Sequence, residues 1–159
     1  MENNEAYTEA LKRIEACKAE QSLTLDLSGL GLTAIAAEVA ECRWIETLNL
    51  SHNQITKIEG LQQLVDLQQL DLSDNEINKI EGLDHLVNLQ ELHLTENVIT
   101  EIAGLEKLAN LKMLSLHKNL IKNIAGLEKL KDAEDRKLLD CFTHVVAQQA
   151  GDGKALPVG

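Results

Sequence analysis

Three side chains with the chemistry of a nucleophilic catalyst recur at a fixed interval in this sequence. They are Asp71, His93 and Ser115, which are equally spaced along the chain. A serine nucleophile needs an imidazole to take its proton and a carboxylate to orient that imidazole. A hydrolase is therefore one hypothesis. The sequence supplies no glycine-rich turn or helix N-terminus beside Ser115 to hold an oxyanion, so we expect a chain that is not an enzyme.

A second set of residues with the same interval could bind a metal. His52, Asp74 and Glu96 carry imidazole and carboxylate groups, which are ligands for divalent metals. Polar side chains on stacked strands align in this way whenever a sequence repeats, with or without a ligand. We therefore expect no metal and no other cofactor, and interpret both sets as parts of one polar binding surface.

The shared interval comes from an internal repeat that covers most of the chain. Four consecutive copies of equal length occupy residues 45–66, 67–88, 89–110 and 111–132, and the second of them reads LQQLDLSDNEINKIEGLDHLVN. A divergent and slightly longer first copy, SLTLDLSGLGLTAIAAEVAECRW, precedes them at 22–44. A repeat of this length is typical of a solenoid.

Each copy predicts one short strand, a turn and a returning segment. Alternating leucines, such as Leu70 and Leu72, have the two-residue period of a strand with one buried face. Successive strands run the same way and must form a parallel sheet, while the returning segments cross back in 3₁₀ or irregular turns. A buried asparagine after each strand can satisfy turn backbone groups that lack a ladder partner. This structural ladder consists of Asn53, Asn75, Asn97 and Asn119.

The pattern LxxLxLxxNxI followed by IxxIxGLxxL resembles the leucine-rich-repeat superfamily. The second half is similar to the short class of repeat found in phosphatase regulators and bacterial internalins, and the first copy is similar to a slightly longer bacterial type. The resemblance implies an α/β fold, a right-handed solenoid of about five repeats with a curved parallel sheet. It also implies a concave sheet face that holds a partner protein.

The segments that flank the repeats are predicted to cap the two ends of the core. Residues 1–21 predict an N-terminal capping helix, and 133–150 predict a C-terminal one, because apolar residues recur there at helical spacing. The apolar face of the first helix is expected to carry Tyr7, Ala10, Leu11, Ile14 and Cys17. We therefore expect a single domain over 1–150 and a flexible tail over 151–159.

Composition restricts the partner and the compartment. The formal net charge is −11, which disfavours binding to nucleic acid or anionic membranes. The N-terminal sequence lacks the positive and apolar regions of a secretory signal, so we expect a cytoplasmic protein. We also expect a monomer. The three cysteines, Cys17, Cys42 and Cys141, lack the spacing of a disulfide framework or a zinc site and are interpreted as reduced thiols.

Side chains that point away from the core should form the binding surface. We expect a non-catalytic protein interaction module, whose acidic stripe meets a basic patch on its partner. An alternative is a regulatory repeat segment of a larger multidomain protein, such as a GTPase or kinase. The residues expected on the concave face are Glu46, Asn49, His52, Gln69, Asp71, Asp74, Glu91, His93, Glu96, Met113, Ser115 and Lys118.

Overall fold

The computed structural model describes residues 4–123 and 125–126, which form one helix followed by a stack of repeats. Helix α1 spans Asn4–Glu20, and a 3₁₀ helix, Ala37–Glu41, belongs to the first repeat. The predicted C-terminal capping helix at 133–150 and the tail at 151–159 lie outside the described residues. The described residues contain five short strands: β1 Thr24–Asp26, β2 Thr47–Asn49, β3 Gln69–Asp71, β4 Glu91–His93 and β5 Met113–Ser115.

The strands form one parallel sheet in the order of the chain, from β1 to β5. The register follows the repeat, since Leu48 pairs with Leu70 and Leu70 pairs with Leu92. Backbone hydrogen bonding continues past the strands, and the amide of Leu50 donates to the carbonyl of Asp71 at 2.8 Å. The prediction of a parallel-sheet solenoid with one strand per repeat is confirmed.

The core is an aliphatic column in which every repeat contributes equivalent side chains. In the third repeat Leu70, Leu72, Ile77, Leu83 and Leu86 are all 0% exposed. Burial of each such side chain contributes about 1.5–3 kcal/mol to folding. The returning segment turns tightly, because the amide of Leu86 donates to the carbonyl of Leu83 at 2.9 Å. The returning segment therefore contains short turns and no regular α-helix, as predicted from its length.

The asparagine ladder joins each repeat to the one before it. The Asn75 side-chain oxygen accepts the amide of Ile55 at 2.9 Å, and its amide group donates to the carbonyls of Leu50 at 3.0 Å and Leu72 at 3.1 Å. Asn97 and Asn119 repeat the arrangement. Asn75 is 7% exposed, so these bonds satisfy backbone groups that water does not reach. The predicted structural role of the ladder therefore has a direct geometric basis.

Two repeated glycines mark a close contact between the backbones of consecutive repeats. Gly82 and Gly104 have φ values of +72° and +74°, and a Cβ at either position would lie 2.5 Å or 2.2 Å from the carbonyl oxygen of Ile58 or Ile80. Glycine adopts such φ values without the steric cost that other residues incur. The contact therefore excludes any side chain at these two positions.

Helix α1 covers the first repeat. Its buried residues are Ala6, Ala10, Ile14 and Cys17, so the predicted face is displaced toward small side chains, and Tyr7 and Leu11 are only half-buried. Ala6 and Ala10 share the line of contact with Ile14, which is 0% exposed, whereas Tyr7 and Leu11 lie at its margins. The helix ends at Glu20. The next residue, Gln21, has a φ of 51°, and the amide of Ser22 donates back to the carbonyl of Cys17 at 3.1 Å.

The two described cysteines lie at the boundary between α1 and the first repeat. Both are free and buried. Burial raises the pKa of Cys17 and raises that of Cys42 to about 12. Both are therefore protonated thiols at neutral pH, with little thiolate character. Cys141 lies outside the described residues.

Replacing a ladder asparagine should destabilise the fold strongly. Asn75→Leu keeps the side-chain size but leaves the amide of Ile55 without its partner. It also removes one of the two hydrogen bonds to each of the carbonyls of Leu50 and Leu72, which keep those from Asn53 and Asn97. A buried unpaired amide costs about 1–3 kcal/mol and each lost hydrogen bond to a carbonyl adds about 0.5–1.5 kcal/mol, so we expect a loss of about 2 kcal/mol or more, measured by urea denaturation. Asn78→Leu makes the same chemical change at an exposed position and should change stability by less than about 0.5 kcal/mol. Equal unfolding midpoints for the two variants would contradict the ladder.

A pair of glycine variants should separate backbone strain from steric contact. Gly60→Ala and Gly104→Ala both place alanine at a left-handed φ, +78° and +74°, which costs about 1–2 kcal/mol in each. At Gly60 the new methyl meets nothing within 4 Å, whereas at Gly104 it meets the Ile80 carbonyl. Gly104→Ala should therefore lose about 1–3 kcal/mol more than Gly60→Ala in the same denaturation experiment. Equal losses would show that the backbones separate freely.

Candidate functional site

The predicted site residues are displayed together on the sheet face that points away from the core. All twelve are exposed or half-buried, whereas the ladder residues Asn53, Asn75 and Asn97 are buried and Asn119 is half-buried. The parallel register places equivalent residues of consecutive repeats beside each other, so Asn49, Asp71, His93 and Ser115 form one row across β2 to β5. We call the surface formed by the predicted site residues other than Glu46 the concave face. Glu46 lies just before β2 and lines a separate groove at the beginning of the strands.

Part of this row shapes the backbone. Asp71 Oδ1 accepts the amide of Ser73 at 2.9 Å, closing a turn at the end of β3. Asn49 and Asp26 make the same turn with Ser51 and Ser28. Hydrogen bonds from the hydroxyl and amide of Ser28 lower the pKa of Asp26. Asp71 therefore combines a structural turn with a half-buried carboxylate.

The Asp71, His93 and Ser115 row is aligned, but its hydrogen bonds differ from those of a catalytic triad. Ser115 Oγ lies 3.3 Å from His93 Nδ1. The other ring nitrogen, Nε2, lies 3.6 Å from Glu91 Oε2 on the same strand. Asp71 instead directs Oδ1 to its own turn. His93 is therefore held between a hydroxyl and Glu91, an arrangement suited to displaying a polar ring on the surface.

Residues in left-handed backbone conformations form a second row just beyond the strands. His52, Asp74, Glu96 and Lys118 have φ values of 57°, 53°, 56° and 54°. They associate in pairs: His52 Nδ1 lies 2.6 Å from Asp74 Oδ2, and Lys118 Nζ lies 2.9 Å from Glu96 Oε1. Each pair bridges neighbouring repeats at the surface, where an ion pair contributes at most about 1 kcal/mol.

These pairs bear on the metal hypothesis for His52, Asp74 and Glu96. Glu96 pairs with Lys118, whereas His52 and Asp74 pair with each other. Within residues 4–123 and 125–126, no group of three or more histidine, cysteine, aspartate and glutamate side chains could hold a metal ion.

The centre of the concave face contains a recess of about 170 Å³, lined by Thr47, Leu48, Asn49, Gln69, Asp71, Glu91 and His93. Five of these seven residues belong to the predicted site. Asp71 and Glu91 contribute two carboxylates to its lining.

A larger groove of about 360 Å³ runs along the other ends of the strands, where each strand begins. Its lining includes Trp44, a residue for which the sequence alone predicted no role. The available signal was the alignment of the last residue of every repeat, which places Trp44 in a row with Asp66, Asn88 and Asn110. The rest of the lining consists of Glu46, Gln68, Gln90 and Lys112.

The chain belongs to the leucine-rich-repeat family, whose pattern it matches over residues 3–130 and 53–150. This confirms the family that the repeat motif indicated. No curated protein matches the chain.

Several solved structures share the fold. Internalin C2 of Listeria monocytogenes is 33% identical, with a TM-score of 0.63 over 69% of this chain and 48% of that one. A leucine-rich-repeat protein of Leptospira interrogans is 27% identical, with a TM-score of 0.58 over 72% and 37%. A chain of the Drosophila melanogaster SNF/U2A′ complex is 34% identical, with a TM-score of 0.54 over 62% and 59%. The chain thus spans between about a third and three fifths of the length of these proteins.

The helix content bears on membrane insertion. Among the described residues, no helix combines the length and apolar character needed to span a bilayer.

Two substitutions at Asp71 should separate its turn from its charge. Asp71→Asn keeps an oxygen that can accept the amide of Ser73, as Asn49 does for Ser51, and should change stability by less than about 0.5 kcal/mol. Asp71→Ala removes the acceptor and should cost about 1 kcal/mol. Urea denaturation of both variants measures the difference. If Asp71→Asn loses as much as Asp71→Ala, the carboxylate charge and not the turn stabilises this position.

Proposed function

We propose that this chain is a protein interaction module that binds a partner protein through its concave face. The observation that carries the proposal is the presence of in-register rows of polar and charged side chains across β2 to β5, all exposed or half-buried. A rigid array of this kind offers many contact groups while losing little conformational freedom on binding. The likeness to a chain of the SNF/U2A′ complex, a leucine-rich-repeat neighbour in an assembly, supports the proposal.

The charge of the concave face defines the partner. Asp71, Asp74 and Glu91 lie on or beside strands β3 and β4. The charge of Glu96 is offset by Lys118. The acidic field is therefore strongest at the middle of the array. A net charge of −11 extends that field beyond the contact surface. Such a field attracts a partner patch rich in lysine or arginine and accelerates its association.

The proposal includes no catalytic step and no cofactor. Ser115 and His93 have the contacts of surface polar groups, and His52 and Glu96 pair with their neighbours. These residues contribute hydrogen bonds and charge to the partner interface.

Removing the acids should weaken partner binding without unfolding the chain. The concave-acid variant combines Asp71→Asn, Asp74→Asn, Glu91→Gln and Glu96→Gln. A control variant combines Glu59→Gln, Glu76→Gln, Glu81→Gln and Glu101→Gln, which removes four exposed acids outside the concave face. Both lose the same charge, so any difference between them reports the location of binding.

The measurement starts with affinity capture from source cells, followed by association kinetics with the purified partner. Wild type and the control variant should capture the same protein, and the concave-acid variant should associate about tenfold more slowly with a smaller salt dependence. The partner should be basic at its contact surface. Loss of binding in the control variant together with normal binding by the concave-acid variant would place the interface elsewhere.

A further inference from the structure

The groove at the beginning of the strands has walls suited to an extended chain. On one side the Asn88 and Asn110 amides donate to the carbonyls of Val65 and Val87, each at 2.8 Å. On the other side Gln90 Nε2 lies 3.3 Å from Gln68 Oε1. These contacts hold four side-chain amides in two rows along the groove. Each amide carries both donor and acceptor groups, as the backbone of a bound peptide does.

The two ends of the groove differ in charge. Trp44 ends the first repeat and Glu46 and Asp66 belong to the second, whereas Lys112 belongs to the fifth. The Trp44 indole nitrogen donates to the carbonyl of Ser22 at 2.9 Å, which fixes the half-buried ring in place. A cation beside an indole ring gains about 0.5–2 kcal/mol, and nearby carboxylates add to that attraction. One end therefore fits a lysine or arginine side chain, and the other fits a carboxylate.

The length of the groove limits what can occupy both ends. Four strands separated by about 4.8 Å span about 14 Å between the second and fifth repeats. An extended peptide covers about 3.3 Å per residue, so this distance corresponds to about four residues. A basic and an acidic side chain three to four positions apart would reach the two ends.

From this geometry we infer that the groove binds an extended peptide segment of another protein, with a basic side chain at Trp44 and an acidic side chain at Lys112. The inference rests on the proposed interaction function but uses different residues from the four acids of the concave-acid variant. The amides of Gln68, Gln90, Asn88 and Asn110 supply contacts to the peptide backbone. The charged ends determine which sequences bind.

Selection from short random peptides displayed on phage tests the charge pattern. Wild type should enrich peptides in which lysine or arginine lies three to four positions from aspartate or glutamate. Glu46→Gln combined with Asp66→Asn should abolish that enrichment, whereas Glu59→Gln combined with Glu81→Gln removes the same charge outside the groove and should preserve it. Absence of any such pattern with wild type would overturn the inference, as would the same pattern with the Glu46 and Asp66 variant.

Fluorescence of Trp44, the only tryptophan in the chain, locates the bound peptide. A synthetic peptide from the selection should change this fluorescence on titration, and the Glu46 and Asp66 variant should bind it about tenfold more weakly. The concave-acid variant should bind the peptide normally. Unaltered fluorescence during binding, or equal affinity for the groove variant, would overturn the groove assignment while leaving the proposed function intact. Normal partner binding by the concave-acid variant would instead overturn the proposed function, with the peptide result unaffected.

Discussion

The turn after each strand brings backbone amides and carbonyls into the interior at a point where no neighbouring strand can pair with them. Asparagine is suited to this position because one short side chain supplies both an acceptor and donors. Asn75 joins the amide of Ile55 to the carbonyls of Leu50 and Leu72, which come from two consecutive repeats. Asn97 and Asn119 make the equivalent hydrogen bonds in the next two repeats, so every repeat must place its turn at the same position relative to its neighbour. Strand register and the stacking of the leucine core depend on this requirement.

A fixed register converts sequence position into surface position. Residues that share a place in the repeat form a straight row, and each row takes its chemistry from the side chains that the core does not use. Some rows still serve the fold, as the turn between Asp71 and Ser73 shows. Others carry side chains at left-handed φ values, such as His52 and Asp74, where glycine would be less strained. The surface is therefore rigid in backbone and variable in chemistry, which is what recognition of a particular partner requires.

The repeat was enough to predict the fold, the strands and the rows, because leucine spacing and the asparagine position leave one arrangement for the backbone. The side-chain contacts within the rows could not be predicted from the sequence. Sequence placed Asp71 beside His93, but the structure shows the imidazole between Ser115 and Glu91, since side-chain rotation is not set by register. The buried face of α1 contains the predicted Ala10, Ile14 and Cys17 but also Ala6, because the distance between helix and repeat depends on packing. Trp44 was missed because it follows the last core position of a divergent repeat, and only the assembled stack shows that this row lines a groove.

The close contact between a glycine and an isoleucine carbonyl of the preceding repeat recurs along the array. Gly82 meets Ile58 in the same way that Gly104 meets Ile80, so these junctions between repeats are interchangeable. Duplication or loss of one whole unit within 67–110 would rebuild the same junction. The first boundary differs, because nothing lies within 4 Å of a Cβ built at Gly60. Genetic recombination could therefore lengthen or shorten this array at its third and fourth repeats, while the helix and first repeat stay as a fixed beginning.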